Sequence, residues 1–220
     1  MAYAFAAIPS RFLFENRNWE EAVNLQIHPI NFPWKNFPWQ KANIHFTRLM
    51  GAVHTGKIAA ARSELQQLNL LYDTLAAQQD NYNANQLQIQ IKASAAWIAC
   101  KEGNEPEALV LMNEAAALED KTEKHPVTPG AVIPARELLG DMLLLMNKPE
   151  KALEAYEANL KKHPNRFNGL YGAGLAAEKT GDAEKAAVYY RQIVKIASRS
   201  NSQRPKLTAI NQFLKKYPHL

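Results

Sequence analysis

The sequence predicts an all-α fold of stacked helix pairs, and three observations lead to this prediction. The 220 residues include only nine glycines, and Ala, Leu, Gln, Glu and Lys are abundant, which is a helical composition. Short breaks separate the helical stretches. Two stretches near the C-terminus align with each other at a constant offset. The hydrophobic fraction of 47% is sufficient for a real core.

The constant offset is 34 residues, and it aligns residues 133–166 with residues 167–200. It pairs Gly140 with Gly174, Ala152 with Ala186 and Tyr156 with Tyr190. Small residues in both helices of a pair let the two backbones approach closely, and the tyrosine one turn later fills the space towards the next pair. The alignment therefore predicts two consecutive helix–turn–helix units.

The ends of the predicted helices carry the expected turn residues. Pro149 can open a second helix, where its missing N–H costs least. Asn147 and Gly181 mark the turns of the two aligned units, and Asp182 is placed to cap the helix after its turn. Weaker copies upstream have their turns at Gly56 and Gly103.

The two aligned units resemble the tetratricopeptide repeat family, which uses a 34-residue helix–turn–helix. The resemblance rests on Gly140, Ala152, Tyr156 and Pro164 in the first unit and on their counterparts in the second, although Arg199 stands where proline is usual. It implies a right-handed α-solenoid with a C-terminal capping helix. The chain looks similar to the C-terminal part of bacterial proteins of this family with no assigned activity, and we expect it to be a piece of a longer protein.

We expect one solenoid over residues 1–220, without an internal domain boundary. Its predicted parts are a degenerate helix pair at about 1–30, an aromatic and proline-rich strap at 31–38, divergent pairs at 39–79 and 82–119, an inserted loop at 120–132, the best-matched repeats at 133–166 and 167–200, and a capping helix at 204–217. The prolines around residues 126–134 exclude a continuous helix through the insertion.

The resemblance implies a partner-binding groove lined by the first helix of each pair. Carried over to this sequence, the groove positions are Phe46, Met50, His54, Gln90, Trp97, Lys101, Glu137, Asp141, Asn168, Tyr171 and Glu178. Family members that clamp a peptide carboxylate need Lys and Asn at positions that here hold other residues, so that clamp is absent. An aromatic groove with an acidic spot suits an apolar or basic peptide.

The strap, FPWKNFPW, repeats Phe-Pro-Trp five residues apart and contributes the aromatic residues Phe32, Trp34, Phe37 and Trp39. Each proline pushes the preceding residue towards an extended conformation, which predicts an extended connection between two helix pairs. Two interpretations remain open. The aromatic side chains either pack on the protein's own helices or form a platform for a partner. The inserted loop at 120–132 has the same two alternatives.

The sequence offers no motif for catalysis, metal or cofactor binding: phosphate-binding loops, GxSxG, HExxH and CxxC are all absent. We therefore predict a non-catalytic protein-interaction scaffold that binds a protein or peptide partner. Residues 150–220 carry 13 Lys and Arg against 6 Asp and Glu, a net charge of +7. This basic C-terminal third supports one alternative function, which is binding of nucleic acid or another acidic partner. Of these two partners, nucleic acid is the less favoured.

The first residues have no basic residue before their apolar stretch and no clear cleavage site, so we expect no signal peptide in this chain, and it has no apolar stretch long enough to span a membrane. We therefore expect a soluble chain in the cytoplasm or the periplasm. The single cysteine, Cys100, is compatible with either compartment.

Overall fold

The structure is a computed structural model that describes residues 1–123, 131–198 and 204–219. These residues form eleven α-helices and one short 3-10 helix, without a β-strand among them. The all-α fold of consecutive helix pairs is therefore confirmed. The chain packs as two compact units, unit 1 (Met1–Ala135) and unit 2 (Arg136–Leu220). A single solenoid over the whole chain stays a prediction.

Unit 1 contains three helix pairs. Its helices are α1 (Ala2–Asn16), α2 (Trp19–Val23), α3 (Pro38–His54), α4 (Ile58–Ala77), α5 (Asn81–Lys101) and α6 (Glu105–Lys121). Helix α3 is central, because it packs on α1, α2, α4 and α5. Of its 17 residues, 13 are buried, so its sides are covered by neighbours. Helices α2 and α3 approach closely at Gly51, where a Cβ atom would overlap the backbone of Ala22 and Val23 in α2.

Unit 2 contains two helix pairs and a terminal helix. Its helices are α7 (Ala135–Leu145, whose first residue belongs to unit 1), α8 (Pro149–Lys162), α9 (Phe167–Lys179), α10 (Ala183–Ala197) and α11 (Pro205–Lys216). Helix α11 packs on α10. Its Ile210 is 1% exposed, and the Phe213 ring meets the Tyr190 ring edge-on at 5.0 Å between centroids. An amphipathic α11 therefore covers the apolar side of the last pair.

Four helix pairs share one turn geometry. The first helix ends in a left-handed residue, with φ values of 75° at Gly56, 84° at Gly103, 54° at Asn147 and 85° at Gly181. The N–H of the next residue then donates to the carbonyl five positions earlier, as from Lys57 to Ala52 and from Asp182 to Ala177. This pattern satisfies carbonyl groups at the helix end, and glycine adopts the required φ without a steric penalty. The turns lie at the residues that the sequence predicts.

Tyrosine rings fill the core of unit 2. A Cβ atom on Gly140 would lie 2.7 Å from the Tyr156 ring, and Cβ atoms on Gly172 and Gly174 would overlap Tyr156 and Tyr190. Gly140 and Gly174 were expected at close contacts between the two helices of a pair, and the atoms nearest to them belong to the tyrosine ring of the second helix. They make room for the tyrosine ring of a second helix, so the small and aromatic positions of the repeat form one contact.

The strap differs from the expected extended connection. Trp34–Asn36 form one turn of 3-10 helix, and turns and bends occupy residues 28–32. The second Phe-Pro-Trp does not continue the connection, because Pro38 is the first residue of α3. Proline at this position pre-forms the helical φ angle and leaves no intrahelical hydrogen bond unmade.

Candidate functional site

Most groove candidates of unit 1 lie inside it. Phe46, Met50, Gln90 and Trp97 are all 6% exposed or less. Phe46 packs on Phe14 of α1 with ring centroids 5.6 Å apart, and the Gln90 side chain donates to Asn43 Oδ1 at 3.0 Å. These side chains hold α1, α3 and α5 together, and their contact with a partner stays a prediction.

His54, at the end of α3, lies between two tryptophan rings. Its ring stacks on Trp19 with a centroid distance of 4.0 Å and an angle of 11°, and it meets Trp97 at 4.7 Å and 48°. His54 Nε2 and Trp97 Nε1 are buried, and neither has a hydrogen-bond partner in the part of the chain that the structure describes. The three rings therefore form an apolar contact between the start of α2, the end of α3 and α5.

The surroundings of His54 favour the neutral form of its imidazole. Burial, the Arg17 guanidinium and the Lys101 ammonium together lower the pKa of His54 from 6.5 to about 3. The imidazole is therefore neutral at neutral pH. Lys101 is exposed one turn after Trp97, so it is the charged groove candidate of unit 1 that reaches solvent.

The three acidic groove candidates of unit 2 are tied to partners inside the same unit. The Glu137 side chain is fully buried and receives two hydrogen bonds from Arg166, at 2.7 Å from Nε and 3.3 Å from Nη2. The Tyr156 hydroxyl donates to Asp141 Oδ1 at 2.6 Å, and the Tyr190 hydroxyl donates to Glu178 Oε2 at 3.0 Å. Each of the three carboxylates thus accepts a hydrogen bond from an arginine or tyrosine side chain of unit 2. Of the three residues, Glu178 is the one that is exposed.

One side of α9 reaches the surface of unit 2. Asn168 is 3% exposed, and its Oδ1 accepts a hydrogen bond from Lys206 Nζ at 2.8 Å. The same ammonium lies 4.6 Å from the centroid of the half-buried Tyr171 ring. Burial and the Glu178 carboxylate raise the pKa of the Tyr171 hydroxyl. Tyr171 and Glu178, two turns apart, are therefore a neutral aromatic group and an acid on the same helix.

Arg166 and Lys206 are neighbours of groove positions that the sequence pattern does not predict. Arg166 follows Glu137 by 29 residues, and Lys206 follows Asn168 by 38 residues. No spacing rule within one helix connects such pairs. A signal could have been the long side chain of a basic residue at a helix start, since Arg166 is the N-cap of α9 and Lys206 is the second residue of α11.

The strap packs on α1. Trp34 and Trp39 are 6% and 8% exposed, and Trp34 Nε1 donates to the Pro29 carbonyl at 3.0 Å. Phe32 meets Phe5 of α1 edge-on, with centroids 5.4 Å apart and an 80° angle, and it also meets Phe37 at 5.1 Å. The aromatic side chains therefore contact one another and unit 1, and a second role in partner binding stays a prediction.

The inserted loop, predicted at 120–132, lies partly outside the described residues, which omit 124–130. Residues 131–134 have no regular secondary structure, yet Val132 and Ile133 are 1% and 4% exposed. Arg11 Nη2 of α1 donates to the Ala131 carbonyl at 3.5 Å, and the Ala135 N–H donates to Glu119 Oε2 at 2.9 Å. The C-terminal end of the insertion is thus held inside unit 1.

The described residues contain no group of three or more His, Cys, Asp or Glu side chains arranged to hold a metal ion. Among the helices in the described ranges, none combines the length and the apolar character that crossing a membrane requires.

Comparison with known proteins identifies one part of the chain. A family model described as "Tetratricopeptide repeat" matches residues 169–200, which cover α9 and α10. Searches of curated proteins and of solved structures found no match. The matched residues form the helix pair whose Gly174 and Tyr190 are in contact. Residues 169–200 therefore match a tetratricopeptide repeat, within a chain whose described residues form consecutive helix pairs.

Proposed function

We propose that this chain is a non-catalytic interaction module that binds a protein or peptide partner through the first helices of its pairs. The observation that carries the proposal is the tetratricopeptide repeat at residues 169–200, because repeats of this family generally mediate protein–protein interaction. A fold alone does not define a function, so the binding surface has to be argued from individual residues.

The proposed contact residues are the groove positions that reach solvent. In unit 2 these are Asp141 and Tyr171, which are half-buried, and Glu178, which is exposed. In unit 1 they are Lys101, which is exposed, and His54, which is half-buried. Tyrosine offers a large contact area at low entropic cost and is enriched among residues that dominate interfaces. The Glu178 carboxylate favours a basic partner segment. An apolar and basic peptide therefore fits the α9 side of unit 2.

Trp97 in unit 1 and Glu137 in unit 2 are also groove positions, but both are buried. The proposal therefore places no partner contact on them. Glu137 is a poor position at which to test partner binding, because reversing its charge would bury a cation against Arg166. Loss of binding in such a variant would report unfolding.

The experiment is a capture assay from native lysate with mass spectrometry, using the wild-type chain and three variants. We expect Tyr171→Ala and Glu178→Lys to lose a specific partner that the wild type and Val188→Ala retain. Val188 is 59% exposed on the second helix of the same pair, so it controls for general surface effects. Equal recovery of every captured protein by all four chains would contradict the proposal.

The alternative function is binding of nucleic acid or an acidic partner through the basic C-terminal third. The contacts of two basic residues in this third give it little support. The Arg204 guanidinium lies 4.7 Å from the centroid of Phe167, and Lys206 is bonded to Asn168. Both residues therefore hold α11 against α9 within unit 2. We do not propose this alternative.

A further inference from the structure

Helix α1 exposes large apolar side chains along one side. In the part of the chain that the structure describes, nine large hydrophobic residues are exposed, and three of them are Met1 (93%), Ile8 (68%) and Phe12 (61%). Met1 is the N-cap of α1, and Ile8 and Phe12 lie one turn apart on the helix. Phe12 is also the one aromatic residue among the nine. Single apolar residues are ordinary at a surface, whereas a contiguous apolar row marks an interaction surface.

The spacing places these residues on one face of the helix. With 3.6 residues per turn, Met1, Ile8 and Phe12 fall within about 40° of one another around the helix axis, and Ala4 and Glu15 border them on one side. These five residues are called here the outer face. The buried residues of α1 lie on the opposite side, where the helix packs on α2 and α3. Helix α1 is therefore covered on one side and apolar on the other.

The outer face is nearly free of charge. The first ten residues of the chain, MAYAFAAIPS, include no charged side chain, and Glu15 is the one charged member of the outer face. A helix that is apolar on both sides is typical of a buried position. Burying Ile8 and Phe12 against another chain would remove apolar surface from water and so favour association.

The order of residues on the outer face fits a second copy of the same chain. When two α1 helices pack antiparallel with a two-fold axis at Ile8, the two Ile8 side chains meet at the axis. The Phe12 ring of each copy then faces Ala4 of the other. A large ring opposite a small side chain lets two helices pack without overlap. The outer face is thus complementary to itself, which is what a two-fold symmetric interface requires.

Charge at the helix ends favours the same orientation. Antiparallel packing brings Glu15 of each copy close to the N-terminal end of α1 in the other copy. The first turn of α1 contains no acidic residue, and its N-cap Met1 makes no side-chain capping hydrogen bond. The N-terminus of a helix carries a partial positive charge, which a carboxylate stabilises. A parallel arrangement would instead bring like helix ends together.

We propose that the outer face of α1 is a self-association surface, through which two copies of this chain form an antiparallel α1–α1 contact centred on Ile8. Covering the three large side chains and their neighbours buries roughly 400–600 Å² on each copy. The total lies at or just below the lower limit for specific interfaces, about 1,200 Å². We therefore expect a weak dimer with a dissociation constant of about 1–100 μM. The α9 surface belongs to unit 2, so this contact is independent of the proposed function.

Sedimentation equilibrium of the full chain from about 5 to 500 μM tests the association. We expect the average mass to rise from that of a monomer towards that of a dimer. Ile8→Ser and Phe12→Ser should each weaken the dimer at least about tenfold. Val110→Ser is the matched control and should follow the wild type, because Val110 is 58% exposed on α6 of the same unit. All three substituted side chains are exposed, so circular dichroism should show unchanged helicity. A monomer over the whole range, or equal association of all four chains, overturns the proposal.

Cysteine cross-linking tests the register. Replacing Cys100 by alanine removes the native thiol, so that each variant contains one cysteine. Under mild oxidation, Ile8→Cys should form a covalent dimer, because the two-fold axis brings its two Cβ atoms within disulfide reach. Phe12→Cys alone should not, because its two copies lie about 12 Å apart along the helix axis. A mixture of Ala4→Cys and Phe12→Cys chains should form the mixed dimer. Cross-linking of Val110→Cys as efficiently as Ile8→Cys, or of Phe12→Cys in place of Ile8→Cys, overturns the proposed contact.

Discussion

The position of His54 between Trp19 and Trp97 makes the stability of the protein depend on pH. Folding lowers the pKa of His54 from 6.5 to about 3, because burial and the nearby Arg17 and Lys101 charges disfavour the imidazolium. The unfolded chain binds the proton more tightly, so between these two pKa values acid favours unfolding. The stability that His54 confers is complete above pH 6.5 and is lost as the pH falls towards 3.

The magnitude follows from the two pKa values. Each pH unit within the window lowers the free energy of unfolding by up to about 1.4 kcal/mol, so His54 accounts for a loss of about 2 kcal/mol at pH 5 and about 3 kcal/mol at pH 4 relative to pH 8. These values are a large part of the total stability of a typical domain, which is about 5–15 kcal/mol.

The assay is urea unfolding followed by circular dichroism at pH 8, 5 and 4. Carboxylates also titrate in this range, so the informative quantity is the difference between wild type and His54→Phe. Phenylalanine keeps an aromatic ring between the two tryptophans but cannot bind a proton. We expect this variant to lose about 2 kcal/mol less than the wild type between pH 8 and pH 5. His219→Gln, at an exposed position, is the control and should follow the wild type.

Two results would refute this reasoning. The first is an identical pH dependence for the wild type and His54→Phe. The second is a nuclear magnetic resonance titration of the His54 ring with a midpoint near 6.5, because that midpoint would mean that the ring is solvated and outside the tryptophan sandwich.

Three further predictions follow from the packing of the two units. Gly140→Leu should destabilise the protein by about 1–3 kcal/mol, because any side chain at this position meets the Tyr156 ring, and Gly172→Ala should act in the same direction; an unchanged Tm for both variants would contradict the assigned contact. Trp34 and Trp39 should show blue-shifted fluorescence that acrylamide quenches poorly, because both are buried; red-shifted, freely quenched emission assigned by single Trp→Phe variants would support the partner-platform alternative. The chain should show no salt-sensitive binding to mixed DNA or RNA at physiological ionic strength, because Arg204 and Lys206 are engaged in unit 2; micromolar binding that disappears between about 50 and 200 mM salt would revive the nucleic-acid alternative.

The sequence by itself determined the helix pairs and their turns, because these depend on local chemistry. The left-handed residues Gly56, Gly103, Asn147 and Gly181 end first helices where the composition breaks predict turns. The 34-residue offset also identified the small and aromatic positions that meet in the core of unit 2. Such features repeat along the chain and depend on neighbours within a turn or on the next helix.

The tertiary structure alone decided which groove positions reach solvent and which residues neutralise the acids. Trp97 and Glu137 occupy the same kind of repeat position as Tyr171, yet both are buried while Tyr171 remains half-exposed. Trp97 contacts His54, and Glu137 is bonded to Arg166, and both of these partners lie far away in sequence. The hydrogen bond from Arg11 of α1 to the Ala131 carbonyl likewise joins residues 120 positions apart. Long-range contacts of this kind leave no periodic trace in the sequence, because each depends on how complete elements pack.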